Sequence, residues 1–383
     1  MSLIPPKENR LEYLDSLRGL AAVSVIIGHF VLAYGLDLQL KWINYSPFHF
    51  FYDGSAAVGL FYILSGYVLT LSLEKNKGPV LGAFYLKRIF RIMPAYLVIL
   101  VLSLIAYLFF VAKHTTPANS SWVSQFWSKP LDMYHFAGQL IFLKPGNNAD
   151  LVPQNWSLRI EMLFSFLMPF LYLIYKKTNY LYLLAFNLVL YFLFSTPVFI
   201  IHFSLGIFLA LNQQKILYVF QAIKSRYKLI VILIIWLLYT YRYTLPVYYY
   251  NFFKKQSFIL NNRDLLWVIT GLGAFFILVY CLSSYKVQRV LNLKPFVFIG
   301  KISYSIYLSH VLVLIFVIPF FIGLLNNIGI ENKYCIWLSS LSILLFLTFI
   351  ISYLLTTFVE IPLVKMANAF LKKQKSNSAL SLK

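Results

Sequence analysis

Apolar runs of membrane length recur from near the start of this chain almost to its end, and no other feature restricts its fold as strongly. A hydrocarbon core about 30 Å thick is crossed by about 20 apolar helical residues. Inside it every backbone polar group must be satisfied internally, which leaves helices or closed barrels. Strand-length alternation is not what the runs show; they are continuous. Ten spans are expected, roughly at 14–35, 48–73, 94–112, 155–175, 179–195, 197–212, 228–242, 265–284, 296–323 and 334–358. The reading is an all-α, polytopic integral membrane bundle with about ten transmembrane helices.

Charge supplies the orientation. The 383 residues are 60% hydrophobic and only 12% charged, yet carry a net charge of +21. With the N-terminus inside, 23 of the 33 Lys and Arg fall on the inner side and 10 on the outer. That is the positive-inside bias, and it puts both termini in the cytoplasm. The basicity reports topology and anionic membrane lipid rather than nucleic acid. The first run is too long for a signal peptide, carries Arg18 and His29, and lacks a small-residue cleavage pattern. Cys281 and Cys335 fall at opposite membrane faces, so no disulfide is expected. Residues 1–371 read as one membrane domain and 372–383 as a short basic tail without fixed structure. The longest polar interruptions, 113–154 and 243–264, are assigned outside, and 213–227 is a candidate interfacial helix.

Ionisable residues inside a span are costly and raise a functional question by default. Arg18 and His29 lie eleven residues apart, about 20° beyond three full helical turns, so they share one face about 16 Å apart along the axis. Asp15 precedes them by one turn. Arg18 can also be read as an anchor that snorkels to headgroups, and His29 as a satisfied core histidine. Glu161, in Asn155-Trp156-Ser157-Leu158-Arg159-Ile160-Glu161, is expected a turn or two below the outer interface, at the depth of His29. A carboxylate there would fix the imidazole tautomer and stabilise an imidazolium. Arg159 faces a different direction and is not its natural partner. Arg88 and Arg91, three apart before Pro94, present two guanidiniums that can grip phosphate bidentately; ordinary inner-face anchoring is the plainer reading. Ser303, Tyr307 and His310 form an i, i+4, i+7 stripe, with Tyr304 beside it, suited to interhelical hydrogen bonds or to lining a substrate path. No histidine falls at metal-ligand spacing with Cys, Asp or Glu, so no metal is expected.

These motifs, in this order, resemble the membrane acyltransferase-3 family. The resemblance rests on Leu14-Asp15-Ser16-Leu17-Arg18-Gly19 with His29, on Phe61-Tyr62-Ile63-Leu64-Ser65-Gly66-Tyr67, and on Arg88-x-x-Arg91-x-x-Pro94. Trp156-Ser157-Leu158 with Glu161, Ser303-Tyr304-Ser305-Ile306-Tyr307-Leu308-x-His310 and Glu360-x-Pro362 complete it. It implies an O-acyltransferase, most often O-acetyl, in the bacterial cytoplasmic membrane. The donor would be cytoplasmic acetyl-CoA, held on Arg18, Arg88 and Arg91. The acceptor would be a cell-surface polysaccharide or its lipid-linked precursor, such as lipopolysaccharide O-antigen or exopolysaccharide. His29 would be the base and Glu161 its partner. Some relatives carry an appended esterase-like domain, which this chain is expected to lack. The alternative from the residues alone is a proton-coupled transporter of a sugar or glycolipid, using His29 and Glu161 as a relay.

Overall fold

The apolar runs all become helix, and close backbone crossings at glycine decide how the helices stack. The computed structural model describes residues 11–35, 47–75, 81–112, 121–141, 150–194, 197–244 and 262–380. No strand occurs among them. Of the two interruptions expected outside, residues 113–120, 142–149 and 245–261 lie outside the described residues, as do residues 381–383 of the tail.

In chain order the main helices are α1 (Glu12–Tyr34), α2 (Gly54–Lys75), α3 (Leu81–Ala112), α4 (Asn155–Lys177), α5 (Tyr180–Phe194) and α6 (Ile200–Leu211). There follow α7 (Gln213–Gln221), α8 (Ser225–Tyr239), α9 (Arg263–Ser283), α10 (Lys294–Lys301), α11 (Ser303–Asn327) and α12, which starts at Lys333. Both α11 and α12 contain a π-helical turn, at Val313–Val317 and Thr356–Glu360. Beyond the second turn the backbone stays helical from Ile361 to Leu380, so the tail expected to lack structure continues the last helix. Starts are marked where the chain can cap them. Asn262 accepts from the amide of Leu265, and Asn332 accepts from those of Tyr334 and Cys335, meeting orphan donors of the first turn.

Among the described residues, seven helices are long and apolar enough to cross a membrane, or eight if α6 and α7 form one bent span. The expectation of ten counted α5, α6 and α8 separately. At about 1.5 Å per residue these 15-, 12- and 15-residue helices reach about 22, 18 and 22 Å, short of a 30 Å core. The chain bends by 83° between α6 and α7, and the stretch expected as a surface helix at 213–227 is divided between α7 and the start of α8.

Two glycine crossings position the site. A Cβ on Gly300 would sit 2.5 Å from the backbone carbon of Asp15, and one on Gly19 would sit 2.7 Å from the Gly300 nitrogen, so α1 and α10 meet backbone to backbone. At the α2–α6 crossing a Cβ on Gly66 would lie 2.3 Å from the Phe203 carbonyl oxygen. Neither helix can yield there without moving its whole backbone. Gly66→Ala is therefore expected to destabilise the protein by about 1–3 kcal/mol, seen as an earlier unfolding midpoint in detergent. An unchanged midpoint would contradict this packing.

Candidate functional site

Three cavities follow one another along α1 and α11. The first, about 740 Å³, lies at the N-terminal end of α1 and is lined by Asp15, Arg18, Arg91, Lys301, Glu360 and Lys365 among others. Arg18 Nη1 donates to Asp15 Oδ1 at 3.0 Å. Glu360 accepts from Ser305 and, at 3.1 Å, from Thr356. The π turn places Glu360 in the lining of the same cavity as the basic residues; only a motif match had pointed to it.

Next comes a waist of about 110 Å³, lined by Arg18, Ser65, Arg88, Arg91, Glu161, Ser303, Tyr304 and Tyr307 among others. Arg18, Val68, Arg91, Ser303 and Tyr304 also line the first cavity, so the two adjoin. Arg88 Nη2 donates to Glu161 Oε1 at 2.9 Å and to Ser165 Oγ at 2.7 Å, while Ser65 donates to the same carboxylate at 3.2 Å. The Tyr304 hydroxyl donates to the Ile92 carbonyl at 2.7 Å and ties α11 to α3.

The third cavity, about 480 Å³, surrounds the C-terminal half of α1 and holds His29. Its wall is aromatic: Trp122, Trp156, Trp267, Tyr52, Tyr243 and Phe126, with Gln125 and Gln154 as polar groups. The Trp122 ring lies 4.9 Å from that of His29. Gly28 makes room there, since a Cβ would sit 2.4 Å from the Tyr52 carbonyl oxygen.

The partner of His29 is His310. His29 Nδ1 and His310 Nε2 are 2.9 Å apart, and His310 Nδ1 is 3.2 Å from the carbonyl oxygen of Ile306. A carbonyl only accepts, so His310 carries its proton on Nδ1 and offers the lone pair of Nε2. His29 must then donate through Nδ1, leaving the lone pair on its own Nε2. The tautomer of the candidate base follows from two contacts, one across 281 residues of sequence and one within a single helical turn.

The sequence expectations divide accordingly. Arg18, Arg88 and Arg91 converge as expected, and Ser303, Tyr304 and Tyr307 line the same spaces. Glu161 is corrected: it lies in the waist beside the arginines, and its hydrogen bonds run to Arg88 and Ser65 rather than to His29. Depth estimated along α4 alone set it too near the outer surface. Arg88 is corrected with it, because its charge is met by Glu161. Both arginines also sit within α3, which begins at Leu81 and carries Pro94 in its interior, not at the mouth of a helix starting near residue 94. The relay reading needed a His29–Glu161 pair and loses its premise. His310, read as part of a stripe, is brought to His29 itself; its spacing of three from Tyr307 was the available signal.

A family model described as an acyltransferase domain matches residues 11–357. The chain is 25% identical to O-acetyltransferase OatA of Staphylococcus aureus (strain MRSA252) over 96% of this chain and 60% of the relative. It is 29% identical to peptidoglycan O-acetyltransferase OatA of Listeria monocytogenes over 43% of this chain and 25% of the relative. A putative O-acetyltransferase of Staphylococcus aureus (strain COL) is 24% identical over 81% of this chain and 51% of its own length. The chain thus spans about 60% of the length of the first of these curated relatives. No solved structure matches it. Motif order, the helical membrane architecture and a family match over nearly its whole length together place this chain in the membrane acyltransferase-3 family.

Proposed function

We propose that this chain is a multi-pass O-acetyltransferase of a bacterial cytoplasmic membrane, with both termini inside. It moves acetyl from cytoplasmic acetyl-CoA to a hydroxyl of a surface polysaccharide or its lipid-linked precursor. The observation that carries this reading is the in-line order of the three cavities: a basic funnel, a narrow waist, and an aromatic chamber holding a tautomer-fixed imidazole. Guanidinium and ammonium groups suit the phosphates of the donor, and Arg18, Arg91, Lys301 and Lys365 supply them at the funnel. Arg88 serves differently: it holds Glu161 neutralised in the waist through which a thioester must pass. Tryptophan and tyrosine faces suit the apolar faces of sugar rings, and the relatives are named as O-acetyltransferases.

In the transfer, His29 Nε2 takes the proton of the sugar hydroxyl as its oxygen attacks the thioester carbon. The carbon–sulfur bond breaks, and the departing thiolate recovers that proton from His29. His310 keeps Nδ1 of His29 bonded throughout, so the imidazolium is stabilised without a second proton moving.

Calorimetry of the purified protein tests the donor. Arg91→Ala is expected to weaken CoA binding by about tenfold or more, the size of a lost charge-assisted bond. Absence of CoA binding in the unmodified protein would overturn the donor assignment. Mass spectrometry of surface glycans with and without the gene identifies the acceptor, and unchanged acetylation would overturn the activity.

A further inference from the structure

The waist and the His29 chamber share two lining residues, Val58 and Tyr307, and only Tyr307 is polar. Its hydroxyl lies 2.6 Å from Ser157 Oγ, and its side chain is buried. Ser157 Oγ also donates to the Gln154 carbonyl at 2.8 Å. With that proton committed, the Tyr307 hydroxyl is the donor and Ser157 the acceptor.

The backbone on both sides is pinned. Gln154 Nε2 donates to the Leu308 carbonyl at 2.6 Å and joins the start of α4 to α11. The Tyr62 hydroxyl donates to the Ser157 carbonyl at 3.1 Å. One side-chain hydrogen bond and ring contacts with Phe61 and His310 hold the tyrosine ring, while hydrogen bonds on both sides hold the backbone that carries it. Rotation of the Tyr307 side chain opens the boundary without breaking those backbone contacts.

We infer that the Tyr307–Ser157 hydrogen bond is a latch between the donor waist and the acceptor chamber. It must open for an acyl thioester to reach His29, and it closes to keep water off that thioester. The inference rests on the acetyl-transfer reading for its chemistry, but the passage it describes is a property of the two cavities. With the latch loosened, water replaces the sugar hydroxyl: its oxygen bonds to the acyl carbon, the carbon–sulfur bond breaks, and acetate and CoA thiol are released.

Two measurements test it. In the first, release of CoA thiol from acetyl-CoA is followed without any glycan acceptor. Tyr307→Phe keeps the ring and removes the hydroxyl; Ser157→Ala removes its acceptor. Each is expected to raise hydrolysis about five- to tenfold, the effect of losing one hydrogen bond on a closed state. The double variant should do no more than either single one, because both break the same contact. Added His29→Ala should abolish the excess. Unchanged hydrolysis in both single variants, or an excess that survives His29→Ala, would overturn the latch.

The second measurement does not depend on the donor. Phe61 lines the waist and its ring lies 5.7 Å from that of Tyr307. In a Cys335→Ser background, which removes the exposed native thiol, Phe61→Cys is treated with a membrane-impermeant thiol reagent. The reagent is added to sealed vesicles only from the side of the C-terminal end of α1. Tyr307→Ala is expected to speed modification at least about tenfold, as for an equilibrium shifted by a lost bond and a lost ring. Equal rates with and without Tyr307→Ala would overturn the latch. If the unmodified protein binds no acetyl-CoA but labelling is accelerated, the donor reading fails and the latch stands.

Discussion

His29→Ala is expected to lower O-acetyl transfer by about 10²- to 10⁴-fold, the range a positioned general base supplies. CoA binding should stay intact, because the basic funnel and the His29 chamber are separate spaces with the waist between them. His310→Ala should do less, about tenfold, since it removes one hydrogen bond that fixes a tautomer and leaves the base itself in place. His310 also reports its role through charge. Without it the imidazolium of His29 loses the acceptor at Nδ1, so the loss should appear in kcat rather than in KM. The measurement is acetyl transfer to glycan by purified, monodisperse variants, with calorimetry of CoA binding alongside. Wild-type transfer by His29→Ala would place the base elsewhere. An effect of His310→Ala on KM alone would make it a wall of the acceptor chamber and not a positioning residue.

Why His310 could not be assigned to His29 beforehand is a matter of what spacing contains. The Arg18–His29 interval fixes two positions along one helix because rise and twist per residue are constant. The same constants put Ser303, Tyr307 and His310 on one face, and that face does border the cavities. Neither interval says how deep one helix sits beside another, and Glu161 was misplaced for that reason. Its depth depends on where α4 begins relative to α1, which Gln154 and Ser157 set through contacts to α11. Ten spans exceed the seven or eight long apolar helices among the described residues for a related cause. Hydropathy registers that α5, α6 and α8 are apolar but not that each is too short to cross alone, nor that the chain bends at Asn212. Arg88 and Arg91 masked the start of α3 because charge was read as an interface, whereas here one of those charges is paired within the bundle. What the sequence did carry well is the helical membrane class, which follows from composition, and the Arg88–Arg91 pair, which follows from periodicity along one helix; that Arg18 joins them was implied by the family resemblance.

That paired charge also carries a large expected stability effect. Arg88 is buried and Glu161 retains 23% exposure of its side chain, so the pair lies mostly out of water. Removing one member of such a pair strands the other, at about 3–5 kcal/mol when both are fully buried. The partial exposure of Glu161 places the expected loss for Arg88→Ala below that range, about 2–3 kcal/mol. Ser65 would remain as a single neutral donor to a carboxylate built for two. Glu161→Gln should cost less, since Arg88 keeps Ser165 and the amide oxygen still accepts. The double variant Arg88→Met, Glu161→Leu should regain most of the loss, because replacing both charges with apolar groups removes the desolvation cost together with the attraction. Denaturant unfolding of Arg88→Met, Glu161→Leu and their double variant in one detergent gives the coupling directly. Strict additivity would show that the two groups do not depend on each other. A stable double variant that still fails in acetyl transfer would separate the two duties of the pair: its charges would be dispensable for folding and required in the waist, where a polar lining receives the thioester.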